Sequence, residues 1–179
     1  MKDWTEDVGE VLLKEEQIRR KVEEMGRRIT SDYQGRDPLL VCILRGAVVF
    51  FSDLVRFIDL PLGMDFIAVS SYGASTKSSG QVRLVKDLEA SIEGRDVILV
   101  EDIVDTGLTL NYLRRSLGNR NPASLRVCSL LSKPSSRQID VEVEYCGFEI
   151  EDHFVVGYGL DYAQRFRNLP HIGIYAPNP

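Results

Sequence analysis

Apolar residues along this chain fall into blocks of alternating period. Within residues 14 to 33, Ile18, Val22, Met25 and Ile29 stand at steps of four, three and four with charged residues between them, which predicts an amphipathic helix resting on a core. After Asp37-Pro38 the run Leu39 to Leu44 is apolar throughout, as in a strand buried on both faces of a parallel sheet, and Arg45-Gly46 ends it. A helical stretch from Ala47 to about Phe57 and a strand from Met64 to Ser70 make a βαβ succession, so the class is α/β. Residues 81 to 87 and 96 to 100 read as further strands, and Leu110, Leu113 and Leu117 mark a helix. Strands at about 123 to 131, 142 to 150, 154 to 156 and 172 to 175 follow, with no repeat, low-complexity tract or linker.

The length of 179 residues suits one core, so residues 1–179 are expected to form a single domain. A net charge of -5 provides no field that would draw DNA or RNA. Of the three cysteines, Cys42 and Cys128 lie in apolar runs and read as small buried hydrophobes, which fits a reducing cytoplasm. The first seven residues are acidic and no apolar stretch approaches the ~18 residues of a membrane helix, so neither signal peptide nor membrane span is expected. Gly73 to Gly80 contains almost nothing to bury and reads either as a plain hairpin loop or as a mobile lid.

The segment Val97 to Leu110, V-I-L-V-E-D-I-V-D-T-G-L-T-L, carries the chemistry: a buried strand leads through two adjacent carboxylates and a small-residue turn into a helix. Ligands of open α/β sheets gather at such carboxyl ends. Asp105, Thr106, Gly107, Leu108 and Thr109 would aim backbone N–H groups and two hydroxyls at one spot beside a helix N-terminus, which suits a phosphate. The pattern G-x-x-x-x-G-K-[ST] is absent, and Gly157, Gly159 and Tyr162 break G-x-G-x-x-G at its third glycine, which leaves a monophosphate cradle. Glu101 and Asp102, expected at the end of the strand, repel each other unless cations or hydroxyls meet them. A bare acidic pair also reads as two solvated carboxylates, but the D-T-G-x-T that follows at once favours a sugar diol with Mg²⁺.

This stretch resembles the phosphoribosyl pyrophosphate signature of the type I phosphoribosyltransferases. Leu44-Arg45-Gly46 is similar to the family's pyrophosphate loop, Ser71-Tyr72 to the start of its lid, and Ser129 to Lys133 to the strand carrying its purine-reading lysine. The run F-V-V-G-Y-G-L-D-Y from Phe154 to Tyr162, followed by Arg165 to Pro170, narrows the resemblance to the hypoxanthine-guanine branch in its bacterial form. Two departures are small: Arg45 stands where many relatives have lysine, and Leu108 where animal forms have lysine.

The resemblance implies a central, mostly parallel twisted sheet flanked by helices, a small hood made by the N- and C-terminal segments, and a flexible lid from Ser71 to about Gly80. It implies Mg²⁺-dependent conversion of hypoxanthine, and guanine, with 5-phosphoribosyl 1-pyrophosphate to the nucleotide and pyrophosphate. Residues 105–109 would then hold the 5′-phosphate, Glu101 and Asp102 the ribose and metal, Arg45, Gly46 and Arg167 the pyrophosphate, and Lys133, Phe154, Val155 and Asp161 the purine, Asp161 also meeting a second Mg²⁺ through water. Asp105 would act as general acid or base near the purine N7, and a helix N-cap is its plainer role. Taken alone, Lys133 reads as a solvated strand end, Phe154 as core packing, and Asp161 and Arg167 as surface charges. A cis Leu44-Arg45 peptide and a homodimer or homotetramer are also implied. An RNA-binding regulator on the same fold is the rival reading, and it lacks the basic face that role requires.

Overall fold

The computed structural model describes residues 6–71 and 82–177, so Tyr72 and the expected lid lie outside the described residues. A six-stranded sheet runs in the order β4-β3-β2-β5-β6-β7. Its strands are β2 (Leu39–Leu44), β3 (Gly63–Ser71), β4 (Val82–Lys86), β5 (Asp96–Val104), β6 (Ser124–Ser132) and β7 (Tyr145–Glu149). All neighbours pair parallel except β3 with β4, where the chain doubles back.

The continuous apolar runs have a direct explanation in the two cores. Leu40, Cys42, Ile98, Val100, Cys128 and Leu130 face one side, beneath α1 (Glu15–Asp32) and α2 (Val48–Val55). Leu39, Val41, Ile43, Val97, Leu99 and Val127 face the other, beneath Leu110, Leu113 and Leu117 of α3 (Leu108–Gly118). Because a strand sends successive side chains to opposite faces, helices on both faces demand apolar residues at every position. The stripe Ile18, Val22, Met25 and Ile29 is buried on α1, as its spacing requires.

A second, antiparallel sheet, β1-β9-β8, joins the two ends of the chain: β1 (Val8–Leu13) pairs with β9 (Ile172–Tyr175), which pairs with β8 (Val155–Val156). This is the hood. The strand β1 has no signature in the hydrophobic pattern, because only Leu13 of its six residues is buried and its pairing is broken by register shifts.

The order β3-β2-β5 places the site. From the end of β2 the chain passes to α2 on one face, and from the end of β5 it passes to α3 on the other. Loops that diverge in this way leave a crevice outside the carboxyl ends of the two strands.

Candidate active site

The pairing of β2 with β5 stops at Cys42 and Val100, whereas β6 accompanies β5 as far as Val104. Glu101 and Asp102 therefore lie inside the strand, not at its end as the sequence suggested, and β2 has ceased to flank them. Strand β5 continues because β6 supplies partners on its other side, Glu101 opposite Ser129 and Val104 opposite Ser132. Oε2 of Glu101 is buried with no hydrogen-bond partner among the described residues. Oδ1 of Asp102 accepts the N–H of Ile103 at 2.8 Å. Burial, and then the neighbouring Asp102, push the Glu101 carboxyl well above the usual range, and burial also raises Asp102. A buried acidic pair with an orphaned oxygen is incomplete by itself, and a cation or hydroxyl donors would complete it.

The Leu44-Arg45-Gly46 turn closes against this pair. The Leu44-Arg45 peptide is cis, as the resemblance implied. A Cβ on Gly46 would lie 1.7 Å from Oδ2 of Asp102, so only glycine permits the approach. Gly159 packs on the carbonyl of Gly46 from the far side, where its own Cβ would come within 2.1 Å.

Beyond the carboxylates the chain turns through residues 105–109. The N-cap of α3 is Gly107, at φ 81, and not Asp105. The tight left-handed turn needs glycine twice over, since a Cβ there would also meet the Ile139 carbonyl at 2.4 Å. Asp105 is left exposed with its carboxylate uncommitted to capping. The segment after β6 grips the back of the turn: Arg137 donates to the Asp105 carbonyl at 3.4 Å, and the N–H groups of Gln138 and Ile139 donate to the Thr106 carbonyl at 3.0 and 3.1 Å. Sequence reasoning did not find these three residues, which sit in a stretch without regular period.

Lys133 is not a solvated strand end. Only 6% exposed, it ties its N–H to the Val104 carbonyl at 2.9 Å and its ammonium to the exposed Asp152 at 3.2 Å. Phe154 is not core packing either: 55% of it is exposed, and its ring stands edge-on to Tyr162 and Tyr175, with centroids 5.9 and 5.7 Å away, while those two stack on each other at 4.2 Å. Val155 is buried in β8. The structure thus leaves an aromatic face open at the hood and turns a buried cation toward the same end of the sheet.

Asp161 and Arg167 are not isolated surface charges but an ion pair. Arg167 also donates to the Gly159 carbonyl at 2.7 Å, and its charge eases the ionisation of Asp102. Gln164, which the sequence reading passed over, receives Arg45 at 3.0 Å and Arg167 at 3.4 Å on the same oxygen. Ser71 ends β3 opposite Val82.

No group of three or more His, Cys, Asp or Glu side chains suited to holding a metal by itself occurs among the described residues. Two carboxylates suffice for Mg²⁺ when substrate oxygens complete the shell. A cavity of about 580 Å³ lies elsewhere, between α1, α2 and the 158–170 segment, and of the expected site residues it includes only Arg167. The three cysteines are free, with Cys42 and Cys128 buried, and burial pushes the Cys42 thiol up to about 12.

Comparison with known proteins gives a consistent result. Residues 9–163 match the model of the phosphoribosyl transferase domain. The chain is similar to the hypoxanthine-guanine phosphoribosyltransferase of Bacillus subtilis (strain 168), 52% identical over 171 residues that cover 96% of this chain and 95% of that protein. It is likewise 52% identical, over 177 residues covering 96% of this chain and 88% of the other, to the hypoxanthine-guanine phosphoribosyltransferase of Mycobacterium tuberculosis (strain ATCC 25618 / H37Rv). Among solved structures it resembles a hypoxanthine phosphoribosyltransferase from Staphylococcus aureus with a TM-score of 0.92 and 48% identity, covering 96% of this chain and 93% of that one.

Proposed function

The chain belongs to the phosphoribosyl transferase domain family, and from that premise we propose that it is a purine-salvage enzyme that joins hypoxanthine, and guanine, to the ribose of 5-phosphoribosyl 1-pyrophosphate and releases pyrophosphate. The observation that carries this reading is that the half-buried Glu101 and buried Asp102, the 105–109 turn and the buried Lys133 all belong to the carboxyl ends of β5 and β6, where β2 no longer flanks β5.

The turn 105–109 grips the 5′-phosphate, with the N-terminus of α3 and its backbone N–H groups favouring the anion. Glu101 and Asp102 accept hydrogen bonds from the ribose hydroxyls. The same two carboxylates would hold Mg²⁺, which when bound neutralises the leaving pyrophosphate. Arg45, the backbone at Gly46, and Arg167 receive the pyrophosphate as its bond to C1′ loosens and charge separates. Lys133 donates to the purine O6, an oxygen in hypoxanthine and guanine but an amino group in adenine. With adenine, donor faces donor and the Lys133 ammonium gains no acceptor from the base, so adenine is disfavoured by roughly 10⁴-fold. Phe154 stacks on the base, and the Val155 backbone meets its edge. Asp105 takes the N7 proton as N9 bonds to C1′. Asp161 holds Arg167 in place, and would help hold a second Mg²⁺. The enzyme acts as a homodimer or homotetramer, in the cytoplasm.

Hypoxanthine, guanine, xanthine and adenine assayed side by side with 5-phosphoribosyl 1-pyrophosphate and Mg²⁺ test the reading. Nucleotide should form from hypoxanthine and guanine and not from adenine, and Asp105→Asn should slow it by about 10²–10⁴-fold. Absence of product with both 6-oxopurines would refute the activity, and undiminished turnover by folded Asp105→Asn would refute the role of Asp105.

A further inference from the structure

The segment 161–166 carries three backbone oddities. Ala163, Gln164 and Phe166 all have positive φ, at 49, 66 and 75°, without a glycine among them. Tyr162 and Arg165 exchange backbone hydrogen bonds across the turn, so Ala163 and Gln164 are its central residues. Turns of this kind favour Asn, Asp or Gly at those two positions. Left-handed conformations of other residues are disfavoured and persist where their surroundings over-determine them. Here the surroundings are specific: the N–H of Gln164 donates to Oδ2 of Asp161 at 2.8 Å, which fixes the root of the side chain.

The far end of that side chain stands between two cations. Arg45, from the turn after β2, and Arg167, from the segment between β8 and β9, approach the single amide oxygen of Gln164 at 3.0 and 3.4 Å. Two guanidinium groups repel each other, and a shared acceptor holds them at one spacing. The acceptor is neutral, so it fixes them without cancelling the charge that an incoming anion needs. Gln164 itself is exposed. A glutamine at a position suited to glycine therefore contributes its amide, not its backbone.

We propose that Gln164 is a positioning residue, which holds Arg45 and Arg167 at the spacing that grips the pyrophosphate group. The proposal rests on the phosphoribosyl-transfer reading and extends it to a residue that touches the two arginines.

Gln164→Gly separates this role from a structural one, because glycine relieves the left-handed backbone while deleting the amide. The expected result is a melting temperature equal to or above the parent's. The KM for 5-phosphoribosyl 1-pyrophosphate and the inhibition constant of inorganic pyrophosphate should both rise about 10- to 150-fold, the range for a lost hydrogen bond to a charged group. The KM for hypoxanthine should stay unchanged. Gln164→Asn, which tolerates the turn but draws the amide back by one methylene, should fall between the two. If the parent makes nucleotide and Gln164→Gly binds pyrophosphate equally well, or loses hypoxanthine affinity to the same degree, the positioning role is wrong. If the parent makes no nucleotide from either 6-oxopurine, the functional reading fails and takes this inference with it.

Discussion

Replacing Gly46 with alanine adds one methyl group where two catalytic segments meet. Gly46 is not in the left-handed region, so its backbone admits alanine and only space is at issue. The new Cβ would fall 1.7 Å from Oδ2 and 2.7 Å from Cγ of Asp102, whereas ordinary contact begins near 3.4 Å. Gly159 packs close to the Gly46 carbonyl and restricts the turn. Asp102 must swing by about 1.5–2 Å, the shortfall from ordinary contact, and loosen its bond to the Ile103 N–H. A displacement of about 1 Å at reacting groups costs on the order of 100-fold in rate, equivalent to about 2.7 kcal/mol. Overpacking adds a stability loss of about 1–3 kcal/mol. The assay is kcat/KM for nucleotide formation across a Mg²⁺ titration, together with thermal unfolding. Gly118→Ala is the matched control: nothing lies within 4 Å of its Cβ at the end of α3, so activity should hold and stability should rise by about 0.5–1 kcal/mol. A folded Gly46→Ala enzyme with kcat/KM within about threefold of the parent would refute both the close approach and the role given to Asp102.

Three further outcomes are expected. Because burial raises the Glu101 pKa, the folded state favours the protonated acid; that contribution is complete below the ordinary glutamate value of about 4.3 and fades as pH rises through the raised one. Glu101→Gln, compared with the parent by thermal unfolding without substrate or metal, should therefore gain relative stability from pH 4 to pH 8, and a pH-independent difference would contradict this. Lys133→Gln should lower kcat/KM for hypoxanthine by about 10²-fold or more while narrowing the gap to adenine, and an unchanged ratio of the two bases would remove Lys133 from the purine site. Gly107→Ala forces a side chain into a φ of 81° and against the Ile139 carbonyl, so urea unfolding should show a loss of at least about 1–2 kcal/mol; a neutral result would mean that the turn can rearrange.

Where every residue of a strand had to be apolar, as in β2 and the first half of β5, the pattern located the element and its burial on both faces. Where burial is one-sided and register slips, as in β1, it left no period to read. The 14 residues Val97 to Leu110 were chemically legible because their residue types are dictated by a ligand, but the strand's length was not. What keeps Glu101 and Asp102 inside β5 is a neighbour, β6, whose pairing no local spacing encodes. The same holds for Arg137 and Gln164, which act by reaching segments distant in sequence. The resemblance supplied the hood and the cis peptide, and the structure supplied the exposed ring of Phe154 and the buried amine of Lys133.

The hood ties Val8–Leu13 to Ile172–Tyr175, with the N–H of Ala176 donating to the Asp7 carbonyl and that of Tyr175 to the Phe154 carbonyl. During synthesis the first of these strands has no partner in the hood until residues 14–171 have been made. A chain broken off just before Ile172 would lack both the strand that joins β1 to β8 and a fully buried residue of the larger core, and it would leave the edges of β1 and β8 unpaired and open to aggregation.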